Sequence, residues 1–148
     1  MTDRIEKTLE LEAPLERVWR ALTDAEQFGQ WFRVKLEGPF TPGEETVGRV
    51  TFPGYEGVVW RCRTVAIEPM RRFAFTWHPH AIDPEIDYAQ EPPTLVEFRL
   101  EPAGDGVRLR LTESGFDALP PHRREQAFPR NEGGWTIQMQ NIRDYVEA

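Results

Sequence analysis

The sequence has a single cysteine, Cys62, among 148 residues. One thiol cannot form an internal disulfide, so a disulfide-stapled fold is excluded and a reducing compartment, the cytoplasm, is the default expectation. Cys62 lies in the middle of an apolar stretch, and no helix N-terminus that would lower a thiol pKa is predicted beside it. We therefore expect a structural thiol rather than a nucleophile.

The chain also lacks an excess of positive charge and any long apolar run. Lys and Arg number 18 against 25 Asp and Glu, which gives a formal net charge of −7. Because phosphate binding needs cations, this charge argues against a nucleic-acid partner. No stretch is apolar over the roughly 20 residues that a membrane span needs. The amino-terminal segment also has no apolar core of a signal peptide, so we expect no membrane insertion.

Motifs for phosphate binding and for metal binding are weak. Gly104–Gly106 is typical of a hairpin turn rather than of a phosphate-binding loop. His78 and His80 alternate near the acids of the 83–87 loop, a combination that could bind zinc. Pro79 separates the two histidines, however, and a firm third ligand is missing. We expect neither a metal nor a cofactor.

What the sequence does have is a long series of alternating apolar and polar positions. This period of two, typical of half-buried strands, recurs in the stretches 5–12, 46–52, 57–68, 71–78, 94–101 and 107–113. Short turns at Pro53-Gly54 and Gly104–Gly106 join neighbouring stretches, which predicts an antiparallel sheet. The length fits one domain, residues 1–148, of the α+β class.

Helical patterns follow the first strand and end the chain. Pro14 and the spacing of apolar residues over 15–22 predict one short helix, and Thr23 with Glu26 has the spacing of a capping box for a second. The final stretch, 131–148, carries one apolar stripe formed by Trp135, Met139, Ile142 and Val146. We expect this helix to lie across the sheet, with Gly133-Gly134 bringing its backbone close to the strands.

The stretch Leu11 to Phe32, LEAPLERVWRALTDAEQFGQWF, resembles the opening of the Hsp90 ATPase activator homologue-type domains of the START-like (SRPBCC) superfamily. Three later stretches agree: Trp60 to Trp77, Leu95 to Phe116 and Gly133 to Glu147. The resemblance covers almost the whole chain. It implies a helix-grip fold, in which a curved antiparallel sheet of about six or seven strands carries two short helices after its first strand. A long C-terminal helix then packs over an apolar cavity.

The cavity that this fold implies would be lined by bulky side chains of the strands and of the helix stripe. The candidates are Phe73, Phe75, Trp77, Val96, Phe98, Trp135, Met139 and Ile142. Arg61, Arg63 and Glu113 could place a charge at the cavity wall, or they could form cross-strand pairs on a solvated face. The sequence does not decide which face of 57–68 points inward, so Trp60 and Cys62 compete with the two arginines.

Members of the superfamily include lipid carriers, polyketide cyclases and hormone receptors, so the fold alone does not define an activity. We expect a binding module for an apolar or aromatic small molecule rather than an enzyme, as a monomer or homodimer. Access would lie beside Pro53-Gly54 and the loop 78–93.

Two alternatives stay open. The family resemblance implies a chaperone-linked interaction domain, although 148 residues leave no room for the separate amino-terminal domain of these activators. A cyclase- or hydratase-like enzyme would need an acid or base at the cavity, for which Glu113, His78 and Tyr145 are the candidates.

Overall fold

Seven antiparallel strands and three α-helices account for most of the residues 3–148 that the computed structural model describes. The strands are β1 Arg4–Leu11, β2 Val34–Leu36, β3 Glu45–Val50, β4 Val59–Glu68, β5 Arg72–Trp77, β6 Thr94–Ala103 and β7 Gly106–Ser114. The helices are α1 Leu15–Thr23, α2 Ala25–Phe32 and α3 Pro121–Val146. The strands lie in the order β1-β7-β6-β5-β4-β3-β2. The predicted α+β helix-grip fold, with two short helices after the first strand, is confirmed.

The alternation of β4 decides which of its faces points inward. Trp60 and Cys62 are buried, whereas Arg61 and Arg63 are exposed on the outer face of the sheet. Arg61 there pairs with Glu45 on β3 at 3.1 Å. Of the two alternatives for these arginines, a charge at a cavity wall or a place on a solvated face, the structure shows the second. The physical reason is that a buried guanidinium needs several compensating partners, whereas burial of Trp60 and Cys62 leaves one polar N–H, that of the Trp60 indole, without a partner among residues 3–148.

The helix α2 is capped one residue later than the sequence pattern predicted. The Asp24 carboxylate accepts a hydrogen bond from the backbone N–H of Gln27 at 3.0 Å. Thr23 is instead the last residue of α1, where its hydroxyl donates to the carbonyl oxygen of Trp19 at 2.9 Å. Asp and Thr are both good N-caps, so spacing alone could not separate two adjacent candidates.

Aromatic rings fill the space between α2 and the sheet. The ring centre of Phe28 lies 5.2 Å from that of Phe40 and 6.5 Å from that of Phe75. Phe73 and Phe98 stack on neighbouring strands at 6.1 Å. Ring pairs of this kind each add about 0.5–1.5 kcal/mol beyond the burial of their area. This part of the interior is consequently a packed core.

The helix α3 begins at Pro121 and runs for 26 residues, so it starts well before the predicted 131–148 stretch. Pro121 suits the first helical position, where an amide N–H needs no partner. Pro129 lies inside the helix and Gly133-Gly134 follow one turn later. These helix-breaking residues explain why the sequence pattern places the start of the helix near 131 rather than at 121. Tertiary packing of the helix overrides their local preference.

The apolar stripe of α3 holds the helix on the sheet, as predicted. Its members Trp135, Met139, Ile142 and Val146 are all buried. At the carboxy end, Arg17 donates hydrogen bonds to the carbonyl oxygens of Tyr145 and Val146 at 2.7 and 2.8 Å. This cation satisfies carbonyls that have no partner within the helix and interacts favourably with the helix dipole. Within residues 3–148, no helix has the length and apolarity to cross a membrane.

Candidate functional site: a groove beside the C-terminal helix

A groove of about 480 Å³ lies between the middle of α3, the end of α2, the β3–β4 turn and the end of β5. This volume is within the roughly 300–1,000 Å³ typical of small-molecule sites. We call it the α3 groove. It is lined by Phe32, Phe52, Tyr55, Trp77, His80, Pro129, Arg130, Asn131, Gly133, Gly134, Trp135, Ile137 and Gln138.

Three aromatic rings form the floor of the groove. The ring centres of Trp77 and Trp135 are 5.7 Å apart, and Phe32 lies 6.1 Å from Trp77 and 6.0 Å from Trp135. Phe52 and Tyr55, whose rings are 6.4 Å apart, form a wall from the β3–β4 turn. Because Trp77 and Trp135 come from β5 and α3, the groove lies where the helix meets the end of the sheet.

A buried carboxylate, Glu113 on β7, lies beneath this floor and is 0% exposed. It accepts hydrogen bonds from the indole N–H groups of Trp77 and Trp135 at 2.7 and 2.8 Å. The hydroxyl of Thr94 donates to it at 2.6 Å and the side-chain amide of Asn131 at 2.9 Å. Both indole N–H groups are thus engaged below the floor. The floor therefore offers ring surface and no indole donor to a ligand.

This network changes the role expected of Glu113. The sequence suggested a charge at the cavity wall, but the carboxylate is fully buried and does not line the groove. All four donors are neutral, so hydrogen bonds rather than a cation offset the cost of burying a carboxylate. Since three of the donors line the groove, Glu113 fixes the positions of groove residues that it joins to β7.

The two glycines of α3 face open space in the groove. A Cβ added at Gly133 or at Gly134 would have no other atom within 4 Å. The expectation that these glycines bring the helix backbone close to the strands was therefore wrong. Each costs about 1 kcal/mol relative to alanine in a helix interior, and no packing contact requires either one. Their effect is to keep the groove open along the helix backbone.

Other locally unfavourable features border the same groove. Pro129 lies inside α3, where a proline removes a hydrogen bond and costs about 3 kcal/mol. His80 has a backbone φ of 50°, in the left-handed region that non-glycine residues rarely adopt. Strain of this kind concentrates at functional sites when the surrounding structure holds it in place.

The loop 78–93 is anchored to α3 by Arg123, whose side chain is 3% exposed. Its Nε donates to both oxygens of Glu91 at 2.8 and 3.1 Å, and its Nη2 donates to the carbonyl oxygen of Pro79 at 2.6 Å. The guanidinium also lies 4.7 Å from the ring centre of Tyr88. Arg123 was not predicted as a site residue from the sequence. The available signal was that 123, 127, 131 and 135 continue the buried stripe backwards along the helix at steps of four.

The surroundings of both histidines in this loop favour their neutral form. Burial lowers the pKa of His80 below its ordinary value of 6.5, and the positive charges of Arg130 and Arg123 lower it further. Burial is also the largest cause that lowers the pKa of His78. Within residues 3–148, no three His, Cys, Asp or Glu side chains come together as a metal site would require.

The free thiol is chemically inert at neutral pH. Cys62 is buried on the inner face of β4. Burial, as the largest cause, raises the pKa of Cys62 to about 12, so the thiol stays protonated. A protonated, buried thiol is a poor nucleophile.

Two of the eight candidate ligand-binding residues, Trp77 and Trp135, line the α3 groove. The other six do not line it and lie in the packed core: Phe73, Phe75, Val96, Phe98, Met139 and Ile142. Trp135, which is 2% exposed, belongs both to this core and to the edge of the groove. The expected cavity is therefore displaced toward the end of the sheet. The reason is that rings from α2 and the central strands fill the interior where the sequence placed the cavity.

Most lining residues of the groove were not predicted as such, because they come from turns and from the polar side of α3. Phe52 and Tyr55 flank the Pro53-Gly54 turn, and Arg130 and Asn131 fall between a proline and two glycines. The signal that could have found the second group is the departure from helix preference over 129–134. Several helix-breaking residues close together in one helix indicate that this stretch serves something other than the stability of the helix.

A long C-terminal helix across an antiparallel sheet, with a groove between the two, defines a helix-grip protein. The family model for activator of Hsp90 ATPase homolog 1-like proteins matches residues 12–147. The chain therefore belongs to that family. A search of curated proteins returned no match.

Solved structures share the fold at low sequence identity. Protein MLL2253 from Mesorhizobium loti is 24% identical with a TM-score of 0.76, and the match covers 97% of this chain and 96% of that one. The Aha1 dimer from Colwellia psychrerythraea is 17% identical with a TM-score of 0.73, over 99% and 97% of the two chains. DynU16, from the dynemicin biosynthetic locus, is 23% identical with a TM-score of 0.76; all of this chain matches 48% of DynU16.

Proposed function

We propose that the protein is a binding module that holds an aromatic small molecule in the α3 groove. The rings of Phe32, Trp77 and Trp135 give a ligand a surface for offset or edge-to-face packing. Phe52 and Tyr55 would cover one side of the bound molecule. Affinity would then come mainly from burial of apolar area, at about 25 cal/mol per Å².

The observation that carries this proposal is the pair of glycines at Gly133 and Gly134. They weaken the helix, they face open space, and no neighbouring atom restricts what could stand there. Glycine commonly serves where a ligand must approach the backbone closely. A purely structural helix at this position would gain stability from alanine or leucine. The presence of two glycines here, although they weaken the helix, therefore supports a ligand site at this surface.

The test uses the neutral fluorescent probe phenylnaphthylamine and the variant Gly134→Leu. The leucine side chain should occupy the groove and weaken probe binding at least about tenfold, or 1.4 kcal/mol. Because leucine is the better helix former by up to about 1 kcal/mol, the free energy of unfolding should stay the same or rise. Thr136→Leu is the matched control, since Thr136 is exposed on the same helix and does not line the groove.

The results separate binding from folding. Loss of probe binding in Gly134→Leu, with unchanged binding in Thr136→Leu and with both proteins folded, supports the proposal. Equal binding of the probe by wild type and Gly134→Leu would show that the probe does not bind in the groove. Probe fluorescence that does not saturate with rising probe concentration would show the same. Native mass spectrometry of protein purified from its own host can then identify the natural ligand.

A second candidate function is partnership with a chaperone, and family membership is the observation that favours it. The family is described by its likeness to an activator of the Hsp90 ATPase. The direct test is the ATPase rate of Hsp90 from the same host, measured with and without the purified chain. A rate that does not change with saturating protein would remove this candidate.

A third candidate, acid–base catalysis of the cyclase or hydratase type, is favoured by one residue. His80 lines the groove, and its lowered pKa favours the neutral imidazole, the form that a general base needs, while it also weakens the basicity of that imidazole. If His80 is the general base of an enzyme, His80→Gln should abolish turnover of the substrate and leave the binding of phenylnaphthylamine unchanged. Equal loss of turnover and binding would instead indicate a role in shaping the groove.

A further inference from the structure

The rim of the α3 groove carries a cation that has no carboxylate partner. Arg130 lines the groove and is exposed. The neighbouring arginines on α3 are paired, Arg123 with Glu91 at 2.8 Å and Arg124 with Asp117 at 3.0 Å. No acidic side chain among residues 3–148 pairs with Arg130. In a chain of net charge −7, the rim of an aromatic groove thus carries a guanidinium that no acidic side chain of residues 3–148 neutralises.

A second basic group stands near this arginine. His80 also lines the groove, and the positive charge of Arg130 contributes to lowering its pKa, after burial. The other charged group that acts on His80 is Arg123, which is engaged by Glu91. An anion placed between His80 and Arg130 would interact favourably with both, and it would favour the protonated imidazole.

The floor of the groove complements this rim. Glu113 engages the indole N–H groups of Trp77 and Trp135, so the floor presents ring surface without an indole donor. The aromatic floor and the cationic rim are therefore separate parts of one site. A ligand that matches both needs a flat apolar body and one negative group at its edge.

We propose that the α3 groove binds an aromatic acid, whose ring lies on Phe32, Trp77 and Trp135 and whose anionic group is bound by Arg130 and His80. This inference rests on the proposed function and adds the chemical class of the ligand. Arginine suits the role because its planar guanidinium can donate two parallel hydrogen bonds to a carboxylate or sulfonate. The anion also supplies the pairing that Arg130 otherwise lacks.

The test compares two probes with the same aromatic skeleton, anilinonaphthalene sulfonate and the neutral phenylnaphthylamine. In Arg130→Gln, sulfonate binding should weaken about fivefold, the upper end of what one ion pair at an exposed side chain contributes. Binding of the neutral probe should stay within about twofold of wild type. Arg130→Lys should retain part of the sulfonate affinity, since it keeps the charge.

Arg71→Gln is the matched control for non-specific attraction of the sulfonate. The Arg71 side chain is 79% exposed and lies away from the groove, between β4 and β5. This variant should bind both probes as wild type does. A second readout is the NMR titration of His80, whose midpoint should move to higher pH with bound sulfonate and should not move with the neutral probe.

Each outcome decides something. If neither probe binds the wild type, the proposed function itself fails. If both bind and Arg130→Gln weakens them equally, or weakens neither, the groove takes aromatic molecules but the acid inference is overturned. If Arg71→Gln lowers sulfonate affinity as much as Arg130→Gln does, the sulfonate responds to general surface charge or binds at the arginine-lined cleft beside Arg71, and the inference is again overturned.

Discussion

Replacing Glu113 with glutamine tests whether one buried carboxylate holds the floor of the groove. The two glutamate oxygens divide their donors: Trp135 donates to Oε1, whereas Trp77 and Thr94 donate to Oε2, and Asn131 reaches both. A glutamine keeps one oxygen and turns the other position into an NH₂ donor. Whichever way the amide is turned, one indole N–H then faces another donor, while the Thr94 hydroxyl can rotate and accept.

The magnitude follows from that single orphaned indole. A buried donor left without an acceptor costs about 1–3 kcal/mol. Removal of the buried negative charge acts in the opposite direction, because its desolvation cost disappears. We expect Glu113→Gln to lower the free energy of unfolding by about 1–2 kcal/mol and Glu113→Ala by about 3–5 kcal/mol, since the alanine orphans both indoles and leaves a cavity.

Urea denaturation followed by far-UV circular dichroism measures these differences, and tryptophan fluorescence of the folded state reports on the environment of Trp77 and Trp135. Glu97→Gln is a useful comparison, because Glu97 is a paired carboxylate on the outer face of the sheet. A Glu113→Gln protein more stable than wild type would refute the reasoning. Charge burial would then outweigh the hydrogen bonds, and the network would not stabilise the floor.

Three further predictions follow from the helix, the loop and the histidines. Trp135→Ala should cost about 3–5 kcal/mol in the same melts, and a loss below about 1 kcal/mol would mean that Trp135 does not anchor α3. Arg123→Met should release the loop 78–93 and speed its cleavage by a protease, and unchanged cleavage would show that other contacts hold the loop. His78 and His80 have a pKa lowered from 6.5 in the folded state, so the unfolded chain binds protons first as pH falls. Stability should therefore be full above pH 6.5 and decline below it. In the double variant His78→Gln/His80→Gln, the free energy of unfolding should fall less below pH 6.5 than it does in the wild type. If it falls equally in both proteins, the loss comes from the protonation of carboxylates and not from these histidines.

Most strands of the sheet were accessible from the sequence because strands are short-range patterns, whereas the pairing of β1 with β7 was not predicted. The alternation over 94–101 and 107–113, with a glycine turn between them, led directly to the observed β6–β7 hairpin. The stripe through Trp135 and Met139 was equally accessible, since helical spacing is a local property. In these strands and in this helix, the buried side chains are the apolar ones that the sequence period predicts.

The beginning of α3 and the location of the groove were not accessible in the same way. A proline and two glycines argued locally against one continuous helix, and only long-range packing of Ala127, Arg123 and the stripe outweighs them. The position of the groove depends on how far the rings of α2 reach under the sheet. The sequence shows that Phe28 is apolar, but it does not show that Phe28 contacts Phe40 and Phe75 in the folded protein.

The strained segments of the groove and the networks that hold them lie side by side. Arg123 binds the carbonyl oxygen of Pro79, directly before His80 with its left-handed backbone. Asn131, between Pro129 and the two glycines, is tied to Glu113. Each locally unfavourable stretch is thus adjacent to a buried polar anchor, a side chain that makes several hydrogen bonds. If those stretches served only the fold, ordinary helix and loop residues would have been more stable and the anchors unnecessary. The pairing of strain with a dedicated anchor is what a preformed binding site requires, because the site must keep its shape in the absence of the ligand.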